Sequence, residues 1–472
     1  MSGDALLTAL AEAVGPAHVI AGDAAPDSYL VDWRKLTRGR ARAVVLPGST
    51  AEVAAVMRAC ARHGAPVVPQ GGNTGQVAGA VPDESGTAVV LVLSRLRRIR
   101  GLDAENDTIT VEAGCILQAV QQAAHAADRL FPLSLGAEGS CSIGGNLATN
   151  AGGTQVLRYG NARELTLGLE VVLADGEVWD GLRGLRKDNS GYDLKNLFIG
   201  SEGTLGIITA ATLKLFPLPA ARCTAFAALR SIQDAGRFLA RCRAGFDAAL
   251  TGFELISDAC LHLVAGHYPE LRLPFATLDA PWYVLLELSD SESEAHAQAR
   301  FEPVLGAALD AEEITDVGIA ASLAQAEAMW RLRESITLAL SEDGKCAKHD
   351  ISLPVSAVPD FVTGMDAALQ ARFPGLRNFT FGHLGDGNLH YNVARPPGTT
   401  DADLQAMQPA LSRLVHDAVD ALGGSISAEQ GIGRQRTAEL PLYKSPVELR
   451  MMRAVKQALD PRGLMNPGVL VP

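Results

Sequence analysis

Three glycine clusters constrain this chain most. They are Pro69-Gln70-Gly71-Gly72-Asn73-Thr74-Gly75, then Gly139-Ser140-Cys141-Ser142-Ile143-Gly144-Gly145-Asn146 running on to Asn150-Ala151-Gly152-Gly153, and Gly200-Ser201-Glu202-Gly203-Thr204-Leu205-Gly206. With no Cβ in the way, glycine lets backbone amides turn inward and approach an anion closely. One such cluster is often no more than a tight turn. Three within one stretch of chain suit a long ligand carrying a pyrophosphate. A Rossmann site is not the explanation, because the G-x-G-x-x-G spacing is absent. The G-x-G pairs are Gly385/Gly387 and Gly431/Gly433, and neither has the third glycine.

The chain has 472 residues, more than one hydrophobic core usually serves, so two or three domains are expected. Its composition is 47% apolar and 20% charged, ordinary for a globular protein. A net charge of −12 argues against a general nucleic-acid binder but leaves room for a local basic pocket. Seven scattered cysteines without a C-x-x-C pair argue against a disulfide framework, an iron–sulfur cluster or a Cys-rich zinc site, and point to the cytoplasm. The start, MSGDALLTALAEAVG, lacks the basic residues of a secretory or organelle signal. Its Leu6, Leu7, Leu10 pattern reads as one amphipathic helix. No apolar run reaches the roughly 18 residues of a membrane helix.

Residues 41–48 read as a buried strand. The next segment reads as a helix capped by Ser49 or Thr50 and stopped by Gly64. AVVLVLSRL, TITVEAG and LEVVLADGEVWDG continue as strands with short turns. After the Pro-containing break PLPAAR the style changes to alternating strands and amphipathic helices, such as SIQDAGRFLARCRAG and PWYVLLELS. The expected division is a first domain over 1–219, a second over 220–425 and a C-terminal segment over 426–472 that returns to the first.

The stretches PQGGNTG, CSIGGNLATNAGG, RYGN, LGLEVVLADG, KDNSGYDLKNLFIGSEGTLGIITAATLKLFP and MNPG resemble the flavin-binding fold of the vanillyl-alcohol-oxidase (PCMH) type. More narrowly, the chain is similar to the FAD-linked D-2-hydroxyacid dehydrogenases, and most narrowly to the D-2-hydroxyglutarate dehydrogenase group, from about residue 40 to the end. The resemblance implies an α+β fold. Two small α+β subdomains (core about 38–217) hold the FAD, and an α+β cap domain binds substrate. It further implies that Pro69 to Gln76 (Pro69, Gln70, Gly71, Gly72, Asn73, Thr74, Gly75, Gln76) cradle the pyrophosphate. Gly139, Ser140, Ser142, Gly144, Gly145, Asn146 and Asn150 would line the flavin. Glu202, Gly203, Gly206 and Ile207 would sit against it, and Asn466 would return near the ring. No histidine lies within the first two loops, so the FAD is expected to be held non-covalently.

FTFGH–LGDG–NLHYNV, residues 379–393, reads as strand, turn, strand. His390 and Asn392 then share one face of the returning strand, and His383 reaches the same place across the hairpin. Two neutral imidazoles can be two ligands of a divalent transition metal, with a carboxylate as the usual third; Glu429 in SISAEQGIG is the candidate. A histidine pair in a hairpin is more often structural on general grounds. The resemblance implies a metal, Zn²⁺ or a similar divalent ion, held by His383, His390 and Glu429. Asp386 reads as a turn former. Arg333 and Thr337, four apart on one helix face, and Lys348 in a following strand could converge on a carboxylate, with Arg as a planar fork. Surface solvation is the usual fate of an isolated Arg. The pattern R-E-x-I-T followed by K-x-D-I-S-L-P matches the hydroxyglutarate group, which implies that these three residues, with Asn392, bind substrate.

One position departs from the family. The resemblance calls for A-E-H-G-I-G, and this chain has Ala428-Glu429-Gln430-Gly431-Ile432-Gly433. Gln430 cannot take up a proton at neutral pH. Either the metal site or another group serves as base, with His349 or Tyr391 near, or turnover is slow and the substrate differs. His390, Asn392 and Gln430 are the residues expected at the reacting centre. The function implied is oxidation of a D-2-hydroxy dicarboxylate, D-2-hydroxyglutarate first and D-malate second, by hydride transfer to the flavin with metal assistance. D-Lactate or glycolate oxidation is the related alternative, and a non-catalytic flavin-binding subunit of an electron-transfer complex is the alternative of another class. An electron-transfer flavoprotein or a quinone is the implied acceptor, and a homodimer is plausible by base rate.

Overall fold

A computed structural model describes residues 4–471. They pack as two compact units. The first comprises residues 4–152, 160–218 and 429–471, and the second residues 153–159 and 219–428.

In the first unit, Val19–Ala21 (β1), Ala43–Val45 (β2), Val67–Gln70 (β3) and Val89–Val92 (β4) form one sheet in the order β1-β2-β4-β3. β2, β4 and β3 run parallel, which requires a crossover, and the helix Thr50–His63 provides it between β2 and β3. The sequence signals for that helix are realised. The Ser49 hydroxyl accepts the Glu52 N–H at 3.2 Å, and Gly64 ends the helix at φ +63°, a backbone region that disfavours a side chain. The expected N-terminal helix forms at Ala5–Val14 and buries Leu6, Leu10 and Val14 in the same core. Each fully buried leucine contributes about 1.5–3 kcal/mol.

A second, antiparallel sheet follows. Its strands are Ile99–Asp103 (β5), Thr108–Glu112 (β6), Thr166–Val172 (β8), Val178–Gly181 (β9) and Ile207–Lys214 (β10), in the order β5-β6-β10-β8-β9. Arg129–Leu130 (β7) pairs with Phe216–Pro217 (β11) as a short ribbon.

The second unit is built on one seven-stranded antiparallel sheet. Its strands are Ala221–Leu229 (β12), Leu250–Ser257 (β13), Trp282–Asp290 (β14), Asp316–Ile319 (β15), Cys346–Ser352 (β16), Arg377–His383 (β17) and Asn388–Ala394 (β18), ordered β15-β12-β14-β13-β17-β18-β16. Side chains alternate between its faces. One face carries Phe253, Leu255, Ala347, Ile351, Leu389, Tyr391 and Val393 into a core with the helices Ile232–Phe246, Val358–Arg372 and Asp401–Ala421. The opposite face carries Ile256, Phe379 and Phe381 against Leu332, Ile336, Ala339 and Leu340 of the helix Leu323–Asp343. Among the described residues no helix is long and apolar enough to cross a membrane.

One detail differs from the sequence-based division. Residues 153–159 lie inside the first domain in sequence but pack with the second unit. Arg158 donates to the Ser289 carbonyl at 2.6 Å, and a Cβ on Gly385 would meet Leu157, so the short stretch rests on the sheet of that unit.

Candidate functional site

In the first unit the glycine loops converge. A Cβ on Gly71 would run into the Ser142 hydroxyl, and one on Gly72 into the Ser140 carbonyl oxygen, so the first two loops pack backbone to backbone. Gly203, at φ +71°, sits against Pro69 and brings in the third loop. Asn466 ties the C-terminal segment to both, donating to the Gly79 carbonyl at 2.9 Å and the Glu202 carbonyl at 2.8 Å. The gathering leaves polar groups unspent. No backbone N–H from Gly71 to Gln76 donates to an acceptor among the described residues. The buried Ser142 Oγ, Gln76 Oε1 and Asn466 Oδ1 have no partner there either. Buried polar groups are normally satisfied, so a row of open donors fits an anionic ligand such as the pyrophosphate of FAD.

Several residues of these loops have side chains occupied in bracing. Gln70 donates to the Tyr29 and Ala80 carbonyls at 3.0 and 2.8 Å, and Asn73 to those of Ser28 and Val31 at 3.0 and 2.9 Å. Asn150 accepts the Arg163 N–H at 2.9 Å, and Asn146 lies within 3.5 Å of the Cys141 sulfur. Glu202 is at φ +52°, and its carboxylate accepts the N–H groups of Ile432 and Gly433 at 2.8 and 2.7 Å. Burial pushes its carboxyl up, and those two N–H bonds oppose the shift. Ile207 and Gly206 serve packing: Ile207 joins the hydrophobic core, and a Cβ on Gly206 would meet Val171.

In the second unit the expected hairpin forms as β17 and β18. Asp386 makes its turn, accepting the Asn388 N–H at 3.0 Å. Register places the polar residues. Glu254 pairs with His383, Phe381 with His390, His390 with Asp350, and Asn392 with Lys348, so all seven share one sheet face. The rings of His383 and His390 stand 5.4 Å apart. Burial holds His390 well below the usual imidazole range, which keeps it neutral, the state that binds a metal.

Glu429 is delivered by the chain just before it. Ser425 exchanges hydrogen bonds with Ser352 at 2.8 and 3.1 Å, and the Ala428 N–H donates to the Asp350 carbonyl at 3.1 Å. The return segment therefore runs along β16 and sets down Glu429 one residue later. Ligand atoms of His383, His390 and Glu429 lie within 4.8 Å of one another. Two imidazoles and one carboxylate at that spacing are a donor set suited to Zn²⁺ or a similar divalent ion.

Two expectations about side chains need correction. His349 and Tyr391 were expected near the reacting centre, but they lie on the opposite face of the sheet. His349 Nδ1 bonds the Tyr391 carbonyl at 2.9 Å and its Nε2 the Ser412 hydroxyl at 3.1 Å, while Tyr391 donates to Asp366 at 2.5 Å. The cause is strand alternation, since His390 and Tyr391 are consecutive. Arg333 was expected to turn its planar fork on substrate. Instead its Nε and Nη2 lie 2.9 and 2.8 Å from Glu254 Oε2, leaving Nη1 as the edge without a partner among the described residues. Thr337 is half-buried one turn along the same helix, and Lys348 is half-buried on β16.

Glu254 is the residue that sequence reasoning missed. It is fully buried, with Oε1 2.6 Å from His383 Nδ1 and Oε2 on Arg333. Burial alone would raise its carboxyl, but the adjacent His383 and Arg333 outweigh burial and hold it at about 2. A lone acid inside the apolar strand LTGFELIS was the available signal.

Comparison with known proteins bears on the family and on the flavin cofactor. Residues 41–181 match the family described as "FAD binding domain", and residues 218–470 match "FAD linked oxidases, C-terminal domain". Together they define an FAD-dependent oxidoreductase. The chain is 39% identical to "D-2-hydroxyglutarate dehydrogenase, mitochondrial" of Bos taurus, over 98% of this chain and 82% of that protein. It is 40% identical to "D-2-hydroxyglutarate dehydrogenase" of Xanthomonas citri pv. viticola, over 99% of this chain and 97% of that protein. The chain belongs to the D-2-hydroxyglutarate dehydrogenase family of FAD-linked oxidases. Among solved structures, p-cresol methylhydroxylase with substrate bound has the same fold (TM-score 0.78, 15% identity, 98% of this chain and 95% of that one). The bovine relative is named mitochondrial and the Xanthomonas relative is not, so the relatives do not single out the cytoplasm.

Proposed function

We propose that this chain oxidises the D-2-hydroxy group of a dicarboxylate, D-2-hydroxyglutarate first and D-malate second, to the 2-oxo acid. The observation that carries the reading is the polar sheet face of the second unit, where His383 and His390, which with Glu429 make a His-His-Glu donor set, share one surface with Lys348 and Asn392 next to Arg333. When bound, FAD accepts the hydride from the α-carbon, and a divalent ion polarises the α-hydroxyl and its carboxylate.

The chain's own residues do the rest. The N–H row from Gly71 to Gln76 and the open Ser142 and Gln76 oxygens hold the cofactor. His383, His390 and Glu429 hold the metal. Arg333 offers Nη1 to the distal carboxylate, with Thr337 and Lys348 as further donors. Gln430 follows the Glu429 ligand and acts as a hydrogen-bonding contact rather than a base. His349 and Tyr391 point to the far face and do not serve as proton acceptor; a divalent ion held by His383, His390 and Glu429 would acidify the α-hydroxyl, so that a weaker base would suffice.

Electrons leave to a flavoprotein carrier or a quinone, the acceptors the resemblance implies, and the chain acts as a homodimer. All seven cysteines are buried thiols outside any disulfide, which supports a reducing compartment such as the cytoplasm.

The test is anaerobic. The Zn²⁺-supplemented holoprotein is mixed with D-2-hydroxyglutarate, its L-enantiomer, D-malate or D-lactate, and the flavin absorbance is followed. Bleaching by the D-dicarboxylates ahead of D-lactate is expected. Bleaching by D-lactate alone would replace the substrate assignment, and a flavin that none of them bleaches would leave a non-catalytic flavin-binding subunit.

A further inference from the structure

We propose that Glu254 is a positioning residue that serves the metal ligand His383 and the substrate-side Arg333 at once, so that metal loading and dicarboxylate recognition are coupled through one carboxylate. The inference rests on the metal and substrate reading above and extends it to a residue outside that set. It stands on geometry within the second unit alone.

Three elements meet at Glu254. It projects from β13, His383 from β17 and Arg333 from the helix Leu323–Asp343. Oε1 accepts the His383 Nδ1–H at 2.6 Å. That contact fixes the tautomer, which puts the lone pair on Nε2, the nitrogen a metal would need, and it sets the plane of the ring. A carboxylate behind a ligating imidazole is the usual way a protein orients such a ligand and raises its basicity. Oε2 takes the Nε and Nη2 edge of Arg333 at 2.9 and 2.8 Å. The guanidinium is held from its flat side too, with its carbon 4.6 Å from the centre of the Phe381 ring. Phe381 in turn lies 4.9 Å from the His390 ring. Arg333 is thus fixed in two directions with only Nη1 left over.

The two oxygens belong to one rigid group, so a rotation that relaxes one contact distorts the other. An amide shows why charge and symmetry matter here. Glutamine has the same shape but one acceptor and one donor. An NH₂ group turned to Arg333 faces donor against donor, and one turned to His383 is accommodated only by the tautomer that puts the proton on Nε2, so Glu254→Gln cannot keep both the Arg333 contact and the metal-competent His383.

The experiment uses the full-length holoprotein, stripped of metal and titrated with Zn²⁺ against a chromophoric chelator, followed by KM measurements at saturating Zn²⁺. Glu254→Gln is expected to bind Zn²⁺ about 10–100-fold more weakly than the unaltered chain. Its KM for D-2-hydroxyglutarate should rise about tenfold, as for a lost hydrogen bond to a charged group, while that for D-lactate moves less than about twofold. Glu254→Asp, which keeps the charge but is one methylene short of both partners, is read in the same way and serves if the glutamine variant does not fold. Arg333→Lys separates the two arms: the dicarboxylate KM should rise with Zn²⁺ affinity unchanged within about twofold.

Zn²⁺ affinity unchanged in both Glu254 variants, or KM values for the two substrates that rise together, would overturn the role of Glu254. Failure of the unaltered chain to take up Zn²⁺ would instead overturn the metal reading, and this proposal with it.

Discussion

The two units recognise their ligands by opposite means. The first works with backbone: glycines that leave no room for a Cβ, and N–H groups from Gly71 to Gln76 that stay open. The second works with side chains on a rigid sheet, where Glu254, His383, His390 and Arg333 are fixed to within hydrogen-bond tolerance by their strands and by each other. The difference teaches how each can be damaged. A loop built of missing atoms is broken by adding one, whereas a face built of converging groups is broken by removing one.

The largest effect is expected on the side-chain face. His383→Ala removes a metal ligand and leaves Glu254 with Arg333 alone; metal content should fall below stoichiometry and turnover by about 10³-fold, the several kcal/mol that a Lewis-acid ion supplies. Elemental analysis and steady-state rates check both. Normal metal content in that variant would remove His383 from the ligand set.

The reverse operation suits the other unit. Gly72→Ala puts a methyl group against the Ser140 carbonyl, a cost of about 1–3 kcal/mol that the loop can relieve by moving off the second loop. The purified variant should show a lower flavin-to-protein absorbance ratio than the unaltered chain, with metal binding intact. Full flavin content would mean that the cradle tolerates what its backbone spacing forbids.

Tyr391→Phe sharpens the contrast between the faces of one sheet. Tyr391 sits one residue from His390 but donates to buried Asp366, which also receives Asn378. Loss of the hydroxyl should lower stability by about 1–3 kcal/mol in chemical denaturation and leave turnover per folded enzyme unchanged. A large drop in turnover would return Tyr391 to the reacting centre.

The smallest effect lies far from either site. Glu448 closes a capping box on the helix Pro446–Leu459, and the Ser445 N–H, Lys444 and the Ser445 hydroxyl hold its carboxyl at about 2, below the ordinary 4.5. Its pKa is depressed in the folded state, so the stabilisation is present above about 4.5 and fades as pH falls towards 2. Amide protection in the first turn of that helix, measured relative to the intrinsic exchange rate at each pH, should fall over this window and be flat above it.

The sequence made some of this legible and hid the rest for physical reasons. Glycine clusters, the Ser49 cap and the Gly64 stop are local, so they can be read without a fold. The hairpin of β17 and β18 and the shared face of His390 and Asn392 follow from period-two alternation, and the same rule, applied to Tyr391, would have sent it to the far face. The contact between Glu254 and His383 spans 129 residues, and no local pattern announces it. Residues 153–159 sit among glycines, which disguise the point where the chain leaves one unit for another.

The segment that sets down Glu429 has a second consequence. β16 is the last strand of its sheet, and an uncovered last strand offers a row of open N–H and C=O groups to any other chain. Ser425 and Ala428 bond to that margin at Ser352 and Asp350. A chain shortened before residue 425 would therefore lose more than a metal ligand. It would acquire a sticky border, and its first symptom in the test tube would be self-association and turbidity rather than a slow enzyme.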